Sequence, residues 1–134
     1  MNIALADDDQ NLLAMLVPHL EHAGHKVLLA CSGAELLKKI RETRADLIIS
    51  DINMPGLDGV AVYRQTRALN EYAAVPFILC SGLEIEQGKA LAAEDGKLRF
   101  LKKPFSLAAL HKAIDEVTDL PLFGDYEPRG GLKT

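Results

Sequence analysis

The chain has 134 residues, 49% of them hydrophobic and 25% charged, enough for one domain with a buried core and too few for two. That balance excludes a disordered chain, and no apolar run is long enough to cross a bilayer. A net charge of −4 without a Lys/Arg cluster argues against direct nucleic-acid binding by this domain.

Residues 3–6 form a short apolar run and read as a first strand. No basic segment precedes it and Asp7, Asp8 and Asp9 interrupt it, so no secretory leader is expected. Leu12, Leu13, Leu16, Val17 and Leu20 then recur on one face of a helix. It should stop at Ala23 and Gly24, because glycine commonly follows a helix end, and Pro18 inside it should remove a hydrogen bond or bend it. Residues 27–30 are the second strand, and Leu36, Leu37 and Ile40 mark the second helix. Residues 46–50 are the third strand and run straight into Asp51. Asp58 and Gly59 open a helix carrying Val62, Tyr63, Thr66 and Leu69. Residues 77–80, after Pro76, are the fourth strand; the helix through Leu91 and Ala92 is weakened by Gly88. Residues 98–102 are the fifth strand, and Ser106 is placed to cap a last helix carrying Leu107, Leu110, Ile114 and Val117. Pro121, Gly124, Pro128, Gly130 and Gly131 break the pattern, so residues 1–119 are expected as one domain and 120–134 as a tail or the start of a linker.

Strands alternating with helices imply an α/β fold, a parallel sheet with helices on both faces, since each parallel crossover must return across the sheet. Ligands bind such sheets at the carboxyl ends of the strands. Those ends carry Asp7, Asp8 and Asp9 after the first strand and Asp51 after the third. The fourth delivers Ser81 and Gly82, the fifth Lys103 and Pro104. Crowded carboxylates repel one another and favour a proton or a cation, and a hard Mg²⁺ suits them while leaving room for a phosphate oxygen. Asp51 is then a carboxylate nucleophile toward a phosphoryl group, with Lys103 and the Ser81 hydroxyl on its oxygens. Each residue alone has an ordinary reading as solvated loop, turn or surface lysine; the conjunction at successive strand ends favours the site.

The segments 3–9, 46–59, 77–82 and 100–105, taken in this order, resemble the receiver domain of bacterial two-component response regulators. The resemblance runs from Asn2 to about Thr118. It implies a single doubly wound (βα)5 domain of flavodoxin-like type, with a five-stranded parallel sheet in the order 2-1-3-4-5. By resemblance Asp51 is the phosphoacceptor, and Asp7, Asp8, Asp51 and the backbone carbonyl of Asn53 hold Mg²⁺, or Mn²⁺ in its place. Ser81 and Lys103 contact the phosphoryl group, Gly82 leaves access for the donor, and the Lys103–Pro104 peptide bond is cis. Ser81 and Phe100 form a switch: the serine is drawn inward, the ring fills the vacated space, and the face of the fourth helix, fifth strand and fifth helix is remodelled. Serine at 81 in place of the commoner threonine keeps the hydroxyl; phenylalanine at 100 lacks the tyrosine hydroxyl. Lys97 and Leu98 depart from the usual turn after Gly96.

The resemblance also implies a cytoplasmic signalling phosphoacceptor rather than an enzyme with turnover, beyond its own phosphorylation and slow autodephosphorylation. Its donor would be a histidine kinase or histidine phosphotransfer protein, contacting the first helix. Its output would be a downstream protein partner or an output domain outside this sequence, acting as a monomer or a phosphorylation-linked dimer, without membrane contact. A Mg²⁺-dependent phosphohydrolase would need a second acid to activate water and a cap, for which residues 52–58 are too short. A flavin module would want a glycine- and hydroxyl-rich phosphate loop where Asp7–Asp9 would repel an anion. A receiver that no longer cycles is disfavoured by the complete acid, serine and lysine set. Cys31 and Cys80 offer neither a disulfide framework nor metal-ligand spacing and are expected as buried free thiols in a reducing compartment. His19 and His22 share a helix face, but without a nearby Cys or acid these, His25 and His111 are expected to face solvent.

Overall fold

The computed structural model describes residues 1–83 and 86–118. Five strands, β1 (Asn2–Ala6), β2 (Lys26–Ala30), β3 (Leu47–Asp51), β4 (Phe77–Ser81) and β5 (Leu98–Lys102), alternate with five helices, α1 (Gln10–His22), α2 (Gly33–Glu42), α3 (Gly59–Arg67), α4 (Glu86–Glu94) and α5 (Leu107–Thr118). The strands pair in parallel, in the order β2-β1-β3-β4-β5. Strand limits lie within a residue of those read from the apolar runs. The tail expected over 120–134 lies outside the described residues. Among the described residues no helix is long and apolar enough to cross a membrane.

Period-two alternation along each strand divides the core into two halves. Ala4, Ala6, Ile48, Phe77 and Leu79 point toward α2 and α3, packing with Leu36, Ile40 and Val62. Ile3, Leu5, Ile49, Ile78 and Cys80 point the other way, onto Leu13, Leu16 and Leu20 of α1 and Leu110, Ile114 and Val117 of α5. All five residues of β3 and of β4 are buried, as both faces of a central parallel strand should be.

Local chemistry sets the helix limits. Asp9 caps α1, its side chain accepting from the N–H groups of Asn11 and Leu12, and Gly24 follows the helix with φ of +96°, a conformation glycine adopts without steric cost. Pro18 does not interrupt α1. It lies on the exposed side, as does Ala14, whose carbonyl loses its helical donor to the proline and can turn to water. Ser32, Asp58 and Ser106 cap α2, α3 and α5 through Glu35, Ala61 and Ala109 N–H groups. Gly88 does not break α4. A Cβ there would lie 2.9 Å from Cδ1 of Phe100 and 3.3 Å from Cδ1 of Ile52, so the missing side chain lets α4 pack on β5.

The turn after α4 is held from α3. Asp95 accepts from the hydroxyl of Tyr63, from Arg67 Nε at 2.9 Å and from the Lys97 N–H at 2.9 Å, and Arg67 also reaches the carbonyls of Tyr72 and Lys97. Lys97 therefore has a defined place in a turn closed by a side chain. Two expectations need correction. Cys31 is exposed, while Cys80 is buried as expected; the chain leaves the sheet at Ala30, so the next residue has no layer above it. The histidines do not all face solvent: His111 is 3% exposed and His19 half-buried, because these two meet between α1 and α5, and His25 is half-buried against the chain's N-terminal amine.

Candidate functional site

Register brings the strand ends together. Ala6 pairs with Ser50, Asp51 with Cys80, and Ser81 with Lys102, so Asp7, Asp51, Ser81 and Lys103 share the carboxyl rim of the sheet. Asp7 and Asp51 are buried, at 2% and 6% exposure, and Asp8 is exposed. Lys103 Nζ lies 2.8 Å from Asp7 Oδ2 and 3.2 Å from Asp51 Oδ2, and the Lys103–Pro104 peptide bond is cis. The backbone N–H groups of Asp9 and Asn53 donate to Oδ1 of Asp7 and Asp51, at 2.8 and 3.3 Å.

These charges act on one another. Burial, and next the negative charge of Asp7, push the Asp51 carboxyl above its ordinary value, more than Lys103 can offset. Burial alone would lower Lys103, but its hydrogen bond and charge contact with Asp7, joined by Asp51, outweigh that and raise it. Asp51 is thus an anion short of positive charge, and Lys103 is firmly cationic. Asp7, Asp8 and Asp51 can each offer one oxygen within 4.8 Å of the others. Three clustered carboxylate oxygens, one of them from an exposed residue, fit a hard divalent cation that keeps part of its water.

Ser81 is fully buried. Its Oγ accepts from Asn53 Nδ2 at 3.3 Å and from the Leu83 N–H at 3.1 Å, which ties the loop after β3 to the end of β4. A Cβ at Gly82 would meet nothing within 4 Å. Its smallness is not required by packing and opens the solvent side of the rim. A cleft of about 570 Å³ adjoins it, lined by Asp9, Leu12, Met15, Gly82, Lys103 and Phe105 among others. The half-buried Phe100 ring packs against the core half that α2 and α3 cover, beside Gly88 of α4.

Two site features were not anticipated as such. Asp9, grouped with the acids in the sequence, serves as the α1 cap. Gly59, read only as a helix opener, is sterically required: a Cβ there would come within 2.3 Å of the Asp51 carbonyl oxygen and 2.7 Å of Ile52 Cα. It lets α3 begin directly against the backbone that carries the buried acid. Asp-Gly at 58 and 59 was the available signal.

The sequence model of the response regulator receiver domain matches residues 3–115. The transcriptional regulatory protein PrrA of Mycobacterium leprae is 40% identical over 108 residues, 81% of this chain and 46% of that protein. The chain thus spans about half or less of the length of the curated relatives it matches. Among solved structures, the Vibrio cholerae chemotaxis protein CheY4 superposes with a TM-score of 0.78 at 29% identity, covering 87% of this chain and 97% of that one. The receiver domain of the sensor histidine kinase PA1611 from Pseudomonas aeruginosa, described with a magnesium ion coordinated in its active site cleft, shares the fold with a TM-score of 0.76 at 24% identity, covering 88% and 97%.

Proposed function

Since the chain belongs to the response regulator receiver domain family, we propose that Asp51 is its phosphoacceptor, charged by a histidine kinase or a histidine phosphotransfer protein. The observation that carries this is the environment of Asp51: a buried carboxylate beside Asp7 and Asp8, touched by the Lys103 ammonium. A carboxylate oxygen attacks phosphorus of the phosphohistidine donor, the O–P bond forms as the N–P bond breaks, and the electron pair returns to the imidazole, which takes up a proton. Lys103 receives one phosphoryl oxygen. Ser81 receives another after its hydroxyl turns away from Asn53 and Leu83.

Asp7, Asp8 and Asp51, with the backbone carbonyl of Asn53, are assigned to Mg²⁺ or Mn²⁺, which supplies charge neutralisation at the phosphoryl oxygens. Exposed Met15 on α1 and the cleft beside Lys103 form the donor-facing surface, with Gly82 leaving the approach open. Inward movement of Ser81 would free space for Phe100 and alter the face of α4, β5 and α5, read by a partner protein or by an output domain such as the remaining length of the relatives could hold. Slow loss of the phosphoryl group is expected, because Asp7 and Asp8, the acids beside Asp51 among the described residues, are assigned to the metal rather than to water. We assign the protein to the cytoplasm, where kinase and donor nucleotide meet.

Incubation with Mg²⁺ and acetyl phosphate, followed by intact-mass measurement, tests the assignment. One added phosphoryl group is expected, dependent on Mg²⁺ and lost in Asp51→Asn. Persistence of the adduct in that variant would identify a different nucleophile, and no adduct on a protein that binds Mg²⁺ would leave a non-cycling binding module.

A further inference from the structure

Residue 53 touches both groups that a phosphoryl group on the rim must engage. Its backbone N–H donates to Asp51 Oδ1 at 3.3 Å, and its side-chain Nδ2 donates to Ser81 Oγ, also at 3.3 Å. The Leu83 N–H donates to the same serine oxygen at 3.1 Å. A serine hydroxyl has two lone pairs and one proton, so both lone pairs of Ser81 are engaged at rest, in a residue that is fully buried.

The two donors differ in kind. The Leu83 N–H belongs to the backbone two residues beyond the hydroxyl it serves, and any residue but proline would supply it. Asn53 Nδ2 comes from a side chain that packing does not demand, since Asn53 is exposed. A carboxamide offers a donor without charge. An aspartate in its place would only accept, and would bring a further negative charge beside Asp51. Phe100 pairs with Leu79, two residues before Ser81, so ring and hydroxyl lie on the same face of the sheet.

We propose that the Asn53 carboxamide is a positioning residue, a latch that holds the Ser81 hydroxyl in its resting orientation and sets how readily the rim changes state. This rests on the reading of Asp51 as phosphoacceptor. The latch acts on the resting state alone. When the hydroxyl turns to donate to a phosphoryl oxygen, the hydrogen bonds from Asn53 and Leu83 are both given up, and the exposed amide of Asn53 passes to water. Removing the carboxamide therefore destabilises the resting arrangement and leaves the loaded one as it was. The variant should load more readily than the parent, the opposite of what loss of a phosphoryl contact would do.

Beryllofluoride, a tetrahedral mimic of the phosphoryl group, is titrated into the full chain in saturating Mg²⁺ and followed by the fluorine NMR signals of the bound form. Asn53→Ala keeps the backbone N–H and carbonyl. It is expected to bind the mimic about two- to tenfold more tightly, the worth of one net hydrogen bond. In a Ser81→Ala background the same substitution should have no effect, because the latch then has nothing to hold. Equal or weaker binding in Asn53→Ala would overturn the latch. So would the same gain with and without the serine hydroxyl, which would mean that residue 53 governs only access to the cleft. A second readout needs no metal: the Asn53 side-chain amide signals in proton–nitrogen NMR spectra should move in Ser81→Ala, and signals that stay in place would overturn the hydrogen bond itself. A parent that takes up no mimic, or an Asp51→Asn variant that takes it up equally well, would instead overturn the phosphoacceptor reading, and the latch would fall with it.

Discussion

Asp95 lies at the end of the sheet away from Asp51 and collects donors from α3 and from its own turn. Burial alone would raise its pKa; hydrogen bonds from Tyr63, the Lys97 N–H and Arg67 outweigh burial and hold it below the ordinary 3.8. A carboxyl whose folded pKa is depressed contributes stability above its unfolded value and loses it as pH falls through the folded one. Asp95→Asn should therefore lower stability by roughly 1–3 kcal/mol at neutral pH. Urea unfolding curves of the two proteins should converge as pH falls below 3.8; a gap that stays constant into acid would mean the carboxylate charge is irrelevant. At this scale the sequence was legible where a residue's role depends on its place along the strand: Asp7, Asp51, Ser81 and Lys103 each follow their own apolar run. It was not legible where the partner is remote. His19 and His111 are 92 positions apart, and no periodicity relates residues on helices joined only through the sheet. Tyr63 likewise read as part of a helix face, with nothing to connect its hydroxyl to Asp95.

Among the elements, α4 was the weakest expectation, because Gly88 should cost a helix about 1 kcal/mol relative to alanine. The reason for the glycine lies on another element. Gly88→Ala would normally stabilise an exposed helix, but here the new methyl group meets the Phe100 ring at 2.9 Å, too close for contact without displacement. We expect a net destabilisation of about 1 kcal/mol from crowding. In a Phe100→Leu background the same substitution should become neutral or stabilising, so the double-mutant cycle should show coupling. Additive effects would mean the ring moves aside at no cost, leaving the glycine without a packing role. Caps behaved differently. Ser106 and Asp58 were readable because a capping side chain acts on N–H groups two or three residues away, within the window that sequence reading covers.

For the molecule as a whole, alternation of strands and helices was enough to predict a parallel sheet with two covered faces, and the resemblance supplied the order of the strands. The same arrangement puts the crowded acids at a rim that the core does not depend on. A ligand that binds only the folded rim stabilises the entire fold by linkage, by about 2.7 kcal/mol at a hundredfold excess over its dissociation constant. Saturating Mg²⁺ should shift the whole denaturation curve by that order. In Asp8→Ala the shift should vanish with little change in metal-free stability, since Asp8 is exposed. A full Mg²⁺ effect in that variant would exclude Asp8 as a ligand.

The position of Lys103 between two acids has a consequence for which ions the rim accepts. Asp7, Asp8 and Asp51 ionised carry three negative charges, and the Lys103 ammonium, 2.8 Å from Asp7 and 3.2 Å from Asp51, cancels one of them. The remainder is two, the charge of one divalent ion. A sodium or potassium ion would leave the buried acids uncompensated, and a trivalent ion would leave an excess that phosphate alone could relieve. On the proposed metal assignment, valence is the first sieve, set by a lysine that does not itself touch the ion.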